Sequence, residues 1–217
     1  MTRYDLETEE EAIFYSMIES IRKYGGFYFG RYETGNLSST TATVYKYGTG
    51  ISSVNWYVMY EKCEGLSGEN SNVTTSMTYG STWCTVLRWL YDTEATISDG
   101  TTLTYNMIWS DSSDWGNYKN VEFEYRTSYY SLSTKASGTA KRVPSGSSEY
   151  TKANNIYDMA GNVSEYTKAY YSTWCRWLIG ATTAESTSYT YTTAIDILSP
   201  TTYYEYVGCR AILWINN

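Results

Sequence analysis

Asp158, Asn162 and Glu165 place three oxygen-bearing side chains in one short stretch, Asn155-Ile-Tyr-Asp-Met-Ala-Gly-Asn-Val-Ser-Glu165. Hard oxygen ligands of this kind suit Ca²⁺, which takes roughly six to eight of them, so three fall short of a cage. The other use is structural: Gly161 permits a tight bend, and Asp158 and Asn162 can bond the backbone beside them. The 23 acidic residues offer many carboxylate pairs, but no spacing marks one out for glycoside hydrolysis. Cys63, Cys84, Cys175 and Cys209 share no CxxC or other local metal spacing. They read as small buried hydrophobes in a reducing compartment, with a Cys175–Cys209 bridge as the other option. Histidine is absent altogether. That removes the commonest general base, the Ser-His-Asp and Cys-His nucleophile systems, and every histidine-ligated metal site.

The remaining composition points to contact rather than chemistry. Tyrosine supplies 26 of 217 residues against 4 Phe, beside abundant Ser and Thr and 16 Gly. Tyr offers large contact area at low entropic cost, which rigid amphipathic binding surfaces use, although a plain Tyr-rich β protein has the same excess. The net charge of -7 argues against nucleic acid as a partner, since counterion-release binding needs a basic face. No apolar run reaches the ~20 residues a membrane-spanning helix needs, and the acidic, polar start is unlike a secretory signal. Without an internal repeat or linker, residues 1–217 read as one domain.

Several elements must position these residues. Thr8 and Glu11 form a capping box ahead of Ile13, Phe14, Met17, Ile18 and Ile21, a helical spacing that Gly25 ends. Gly26 to Glu33 alternates as a half-buried strand, and Thr34 to Thr43 reads as a loop. A second helix starts near Ser52 or Ser53, turns Trp56, Met59, Tyr60 and Cys63 inward and stops at Gly65. In a third, Ser81 caps Trp83, Val86, Leu87 and Leu90. Asp92 to Tyr150 lacks periodicity, and Ser131 to Ser148 in particular reads as long surface loops. Val207 to Ile215 reads as one buried central strand that pairs with the N-terminal strand, giving an α+β domain.

Asn155 to Thr167 closely resembles the N-V-Y-D-M-x-G-N-V-W-E-W-T signature of the formylglycine-generating-enzyme domain, a branch of the C-type lectin fold. Gly26-Phe-Tyr-Phe-Gly-Arg-Tyr-Glu33 is similar to that family's opening strand, Tyr79-Gly-Ser-Thr-Trp83 to the helix where its tryptophan packs, and Gly208-Cys-Arg210 to its closing G-F-R strand. The resemblance implies a C-type lectin-like fold with two or three helices, small antiparallel sheets and long irregular loops. It implies packing roles for Asp158, Gly161, Asn162, Glu165 and Arg210, with no cofactor and structural calcium as the alternative. The carboxylate-proline-asparagine motif of calcium-dependent lectins is not present. The family's oxidase uses two cysteines to bind copper, and the matching stretch, Ser186 to Leu198, contains none.

A subgroup is more similar still: the variable proteins of diversity-generating retroelements, found in phages and gut bacteria. The Gly-Gly-Phe-Tyr strand, Asn55 to Tyr60, the Ser148 to Asn155 lead-in and the Tyr/Ser/Thr-rich tail carry that likeness. The departures are Ile179 and Ala181 in the turn Arg176-Trp-Leu-Ile-Gly-Ala181, Ile195 for an arginine, and Cys209 for the Phe of G-F-R. The resemblance implies a non-catalytic protein whose variable region, about residues 170–217, binds a protein or other macromolecule on a cell surface, from a phage tail tip or bacterial surface, with no nucleic acid and no membrane insertion. Within it, Thr183, Glu185, Tyr189, Thr190, Asp196, Thr202, Tyr204 and Glu205 match the diversified positions. Thr182 to Tyr206 holds no basic residue, and its Tyr, Thr and Ser mixture suits a binding face. The same residues would also pair as ordinary strands. Trp174 and Trp177 read as scaffold. The alternatives are a virion or assembly protein that uses Tyr203, Tyr204 and Tyr206 as a subunit interface, and an oxidase of the same fold.

Overall fold

A computed structural model describes residues 3–35, 42–48, 54–172, 174–186 and 190–216. Helix α1 spans Arg3–Tyr24, so it starts ahead of the expected cap at Thr8. The sequence ahead of Thr8 holds neither Gly nor Pro, so nothing there breaks a helix. Gly25, with φ +87°, closes it by donating to Ile21 O at 2.8 Å. Its inner face packs Met17, with Ile13, Phe14, Ile18 and Ile21, against Ile212 and Trp214.

Helix α2 (Trp56–Glu64) buries Trp56, Met59, Tyr60 and Cys63 as the spacing requires, and Gly65 caps it. Its N-cap is Asn55, whose side chain accepts from Val58 N at 3.1 Å; Ser52 and Ser53 lie outside the described residues. Helix α3 (Gly80–Asp92) buries Trp83, Val86, Leu87 and Leu90. Thr82 rather than Ser81 secures its start, accepting from Tyr79 N at 3.0 Å.

Three strands, β1 (Tyr28–Phe29), β2 (Val73–Met77) and the C-terminal strand Ala211–Ile215, form one antiparallel sheet with the C-terminal strand in the middle. The expected opening strand is only two residues long because the chain then changes partners. Arg31 O accepts from Tyr157 N, and Thr34 N donates to Cys209 O.

The stretch read as surface loops is mostly exposed, but it also supplies part of the core. It contributes helix α4 (Tyr105–Trp109) and the hairpin β3 (Phe123–Arg126) and β4 (Leu132–Lys135). Ile97, Leu103, Ile108, Trp115, Tyr118 and Val143 are buried. Isolated apolar residues in a turn-rich sequence carry no period, yet each reaches a core from its own turn. Lys135 is buried as well, and its ammonium donates to Tyr118 O at 2.6 Å and Val121 O at 2.8 Å.

The short pair β5 (Lys152–Ala153) and β6 (Ile156–Tyr157) leads into β7 (Ser164–Ser172), β8 (Cys175–Ile179), β9 (Ile195–Leu198) and β10 (Val207–Cys209). These last four form a second sheet in the order β10-β7-β8-β9, with β10 parallel to β7. The expected single strand from Val207 to Ile215 is therefore two strands in two sheets, parted at Arg210, with β11 (Ala211–Ile215) in the first. Pairing of the N-terminal and C-terminal strands holds through β1 and β11.

All four cysteines are free thiols. Cys209 is fully buried where the related pattern has Phe, and its neighbour is Cys63, with sulfurs 3.6 Å apart; Cys175 lies half-buried on β8. Among the described residues, no helix is long and apolar enough to cross a membrane.

Trp214, on β11 of the first sheet, is fully buried against α1, with its indole Nε1 3.2 Å from Ser16 Oγ. Trp214→Ala is expected to cost about 3–5 kcal/mol. In urea denaturation the midpoint should fall while the slope stays unchanged, because the surface exposed on unfolding is nearly the same.

Candidate ligand-binding surface

The signature residues face inward. Asp158 Oδ1 accepts from Thr151 Oγ1 at 2.6 Å, and its Oδ2 from Ser145 Oγ at 2.9 Å and Gly146 N at 2.8 Å. Asn162 Oδ1 accepts from Asn117 Nδ2 and Val143 N, both at 2.9 Å, while its amide donates to both Glu33 oxygens. Asp158 and Asn162 hold φ of +59° and +65°, a left-handed backbone that Asp and Asn tolerate best after glycine. Gly161, at φ +75°, lies against the Asn117 backbone, where a Cβ would collide.

Glu165 and Arg210 are both fully buried and paired, Nη2 to Oε1 at 2.8 Å and Nε to Oε1 at 3.1 Å. Arg210 also donates to Gly30 O and Tyr157 O. These oxygens are occupied by protein donors and a guanidinium, which is packing and turn chemistry. Among the described residues no group of three His, Cys, Asp or Glu side chains is arranged to hold a metal ion.

The tail is built on this base. From β9 the chain must return to β10 at the opposite edge of the sheet, and both strands run in the direction of β7. Residues 199–206 therefore cross the sheet from the Leu198 end back to the Ser164 end, held by Tyr166 Oη on Ser199 O at 2.8 Å and Trp56 N on Pro200 O at 3.1 Å. On this crossing Thr202 and Glu205 are exposed and Tyr204 is half-buried against the α2 core. Glu185 and exposed Asp196 meet in a separate cleft of about 340 Å³ beside Ser164 and Gly180.

Thr183 and Thr190 do not face solvent. Thr183 is fully buried and donates to Asn117 Oδ1 at 3.0 Å; Thr190 is 6% exposed and lies 3.1 Å from Asp111 Oδ1. They fasten the segment rather than present it, as does Thr192, which donates to Ile108 O at 2.7 Å. Tyr189 lies outside the described residues. The backbone at Glu185 and Ser186 is also fastened: Glu185 O accepts from Lys119 N at 2.9 Å and Ser186 O from Asn120 Nδ2 at 3.0 Å. Lys135 in turn holds the 118–121 turn that supplies both donors, through Tyr118 O and Val121 O.

Sequence reasoning placed Trp174 in the scaffold, yet it is 79% exposed at the tip of the β7–β8 hairpin, beside exposed Tyr170 and Tyr171. Trp177 is half-buried and packs edge-on against Tyr171. A turn residue leaves the alternation of its strands, so position in the hairpin was the available signal. Ile179 and Ala181, which depart from the related pattern, are buried in the core, whereas Ile195 is 64% exposed.

Glu33, Asp158 and Glu165 surround a single guanidinium. Burial raises all three carboxyls; Arg210 pulls Glu165 back, and Thr151, Gly146 and Ser145 pull Asp158 back. Glu33 is raised well above its ordinary 4.5, chiefly by burial and then by Asp158 and Glu165, which favours its protonated form. The folded chain binds that proton more tightly than the unfolded chain. The resulting stabilisation is complete below the ordinary value of 4.5 and is lost as pH rises through the folded value. Glu33→Gln cannot ionise and keeps an oxygen for the Asn162 amide. Its melting temperature is therefore expected to rise relative to the parent with increasing pH; parallel curves would assign the proton elsewhere.

No protein-family model matches the sequence, and no curated protein does. Solved structures do. Treponema denticola variable protein 1 is similar at 16% identity over 82% of this chain and 76% of its own, with a TM-score of 0.44. CarF is similar at 15% identity over 76% of this chain and 67% of its own, with a TM-score of 0.46. PvdO from Pseudomonas aeruginosa is similar at 13% identity over 87% of this chain and 80% of its own, with a TM-score of 0.53. Among the described residues, the four α-helices, small sheets and buried signature network form a C-type lectin-like fold of the formylglycine-generating-enzyme type.

Proposed function

We propose that this chain is a non-catalytic recognition protein, displaying the Tyr/Ser/Thr-rich surface of its C-terminal region to a macromolecular ligand in the manner of diversity-generating retroelement variable proteins. The observation that carries this reading is a division of labour within one segment. Thr183, Thr190 and Thr192 are turned inward and bonded, while Trp174, Ile195 and Tyr203 are 79%, 64% and 61% exposed. A backbone held at fixed points lets the side chains between them change without unfolding, since exposed substitutions usually move stability by only about 0.5 kcal/mol. Chemistry of the related oxidase finds no support in the residues: Ser186 to Leu198 has no cysteine, and the chain has no histidine. A ligand on a cell surface, met from a phage tail tip or bacterial surface, fits a face of exposed aromatics with an acidic bias.

Sequencing the gene across its source population tests this. Substitutions are expected to concentrate in adenine-containing codons of residues 170–217, at Glu185, Tyr189, Asp196, Thr202, Tyr204 and Glu205 and sparing Thr183, while Asn155 to Thr167 stays constant. A tail as invariant as the core would overturn the reading and indicate a permanent partner.

A further inference from the structure

Strand β9 is the edge of the second sheet: β8 pairs with one side, and among the described residues no strand pairs with the other. An open edge is a template for another chain, and proteins commonly blunt it with charge. Here the blunting group is identifiable. Trp177, opposite Ile197, turns its carbonyl toward Thr167 on β7, so the Ile197 N–H faces away from β8, where it donates to Asp196 Oδ1 at 2.7 Å and is capped by the side chain before it. Asp196 also lines the cleft of about 340 Å³ at the start of β9, together with Glu185. Neither carboxylate has a cationic partner among the described residues. From Trp177 to Cys209 there is no Lys or Arg, but there are Glu185, Asp196 and Glu205.

Resting on the recognition reading above, we propose that β9 is a gated docking edge for an extended, basic polypeptide segment of a partner protein. The segment adds as a further strand beside β9, main chain to main chain, while one of its Lys or Arg side chains enters the cleft between Glu185 and Asp196. The cation draws the Asp196 carboxylate off Ile197 N–H, and the freed N–H then bonds the incoming strand. Opening the edge thus depends on the charge that is recognised. A neutral or acidic segment leaves the cap in place, which is how charge confers specificity here.

Three peptides test this by calorimetric titration: acetyl-(Lys-Thr)4-amide, acetyl-(Ser-Thr)4-amide, and the Lys peptide N-methylated at every second residue. The Lys peptide is expected to bind at least about tenfold more tightly than the Ser peptide, the scale of two partly exposed charge pairs. N-methylation keeps the charge but removes strand hydrogen bonds, and it should abolish binding. Asp196→Ala leaves the edge uncapped and should narrow the gap between the two parent peptides to about threefold, with Glu185 supplying the remainder. Equal binding of the methylated and parent peptides would reduce the effect to charge adhesion and overturn strand addition. Loss of all Lys-peptide binding would overturn the docking edge itself. Either result leaves codon variation across residues 170–217 untouched, so failure here is separable from failure of the recognition reading.

Discussion

The buried ion pair between Glu165 and Arg210 is the constraint around which the molecule is arranged. Removing two charges from water costs several kcal/mol each, and the cost is met only when geometry is good and the remaining donors are satisfied. Arg210 meets that condition by bonding Glu165, Gly30 O and Tyr157 O while it sits near the rings of Phe29 and Trp83. One side chain therefore ties together the opening strand, the end of β6, the start of β7 and the C-terminal strands. Because it must point into this space, the backbone cannot continue in one sheet, and β10 and β11 part on either side of it.

Around the pair lies a second layer of polar groups that fixes the route of the chain. Asp158 gathers Ser145, Gly146 and Thr151; Asn162 gathers Asn117, Val143 and Glu33. Low dielectric strengthens such bonds and makes any unpaired member costly, so a fully satisfied network specifies one arrangement. Thr183 joins it through Asn117, which brings the tail under the same constraint.

Charge and aromatic area are then separated over the exposed part. Trp174, Tyr170 and Tyr171 stand at the hairpin tip, at one end of the second sheet, and Glu185 and Asp196 at the other. Rigid aromatics supply contact area at low entropic cost, and in the recognition proposed above the like-signed carboxylates would steer encounter with positive partners. Arg142 lies over the Tyr206 ring, about 6.0 Å from its centre.

Much of the fold was legible in the residues. The inward faces of α2 and α3 follow from local spacing and the pairing of the chain ends from the order of the elements, while packing roles for Asp158, Gly161, Asn162, Glu165 and Arg210 are what the family resemblance implies. What escaped was the region from Asp92 to Tyr150, where single apolar residues enter the core from separate turns and leave no period. The candidate surface was legible only in part: its composition marked the segment, but Thr183 and Trp174 exchanged the roles expected of them. The amino-acid sequence by itself determined helical faces, turn positions and the acidic, tyrosine-rich character of the tail, because these depend on neighbours within a few residues. Only the tertiary structure decided which threonines bond inward, where Arg210 parts two sheets and which strand edge stays open, because each depends on groups brought together from distant parts of the chain.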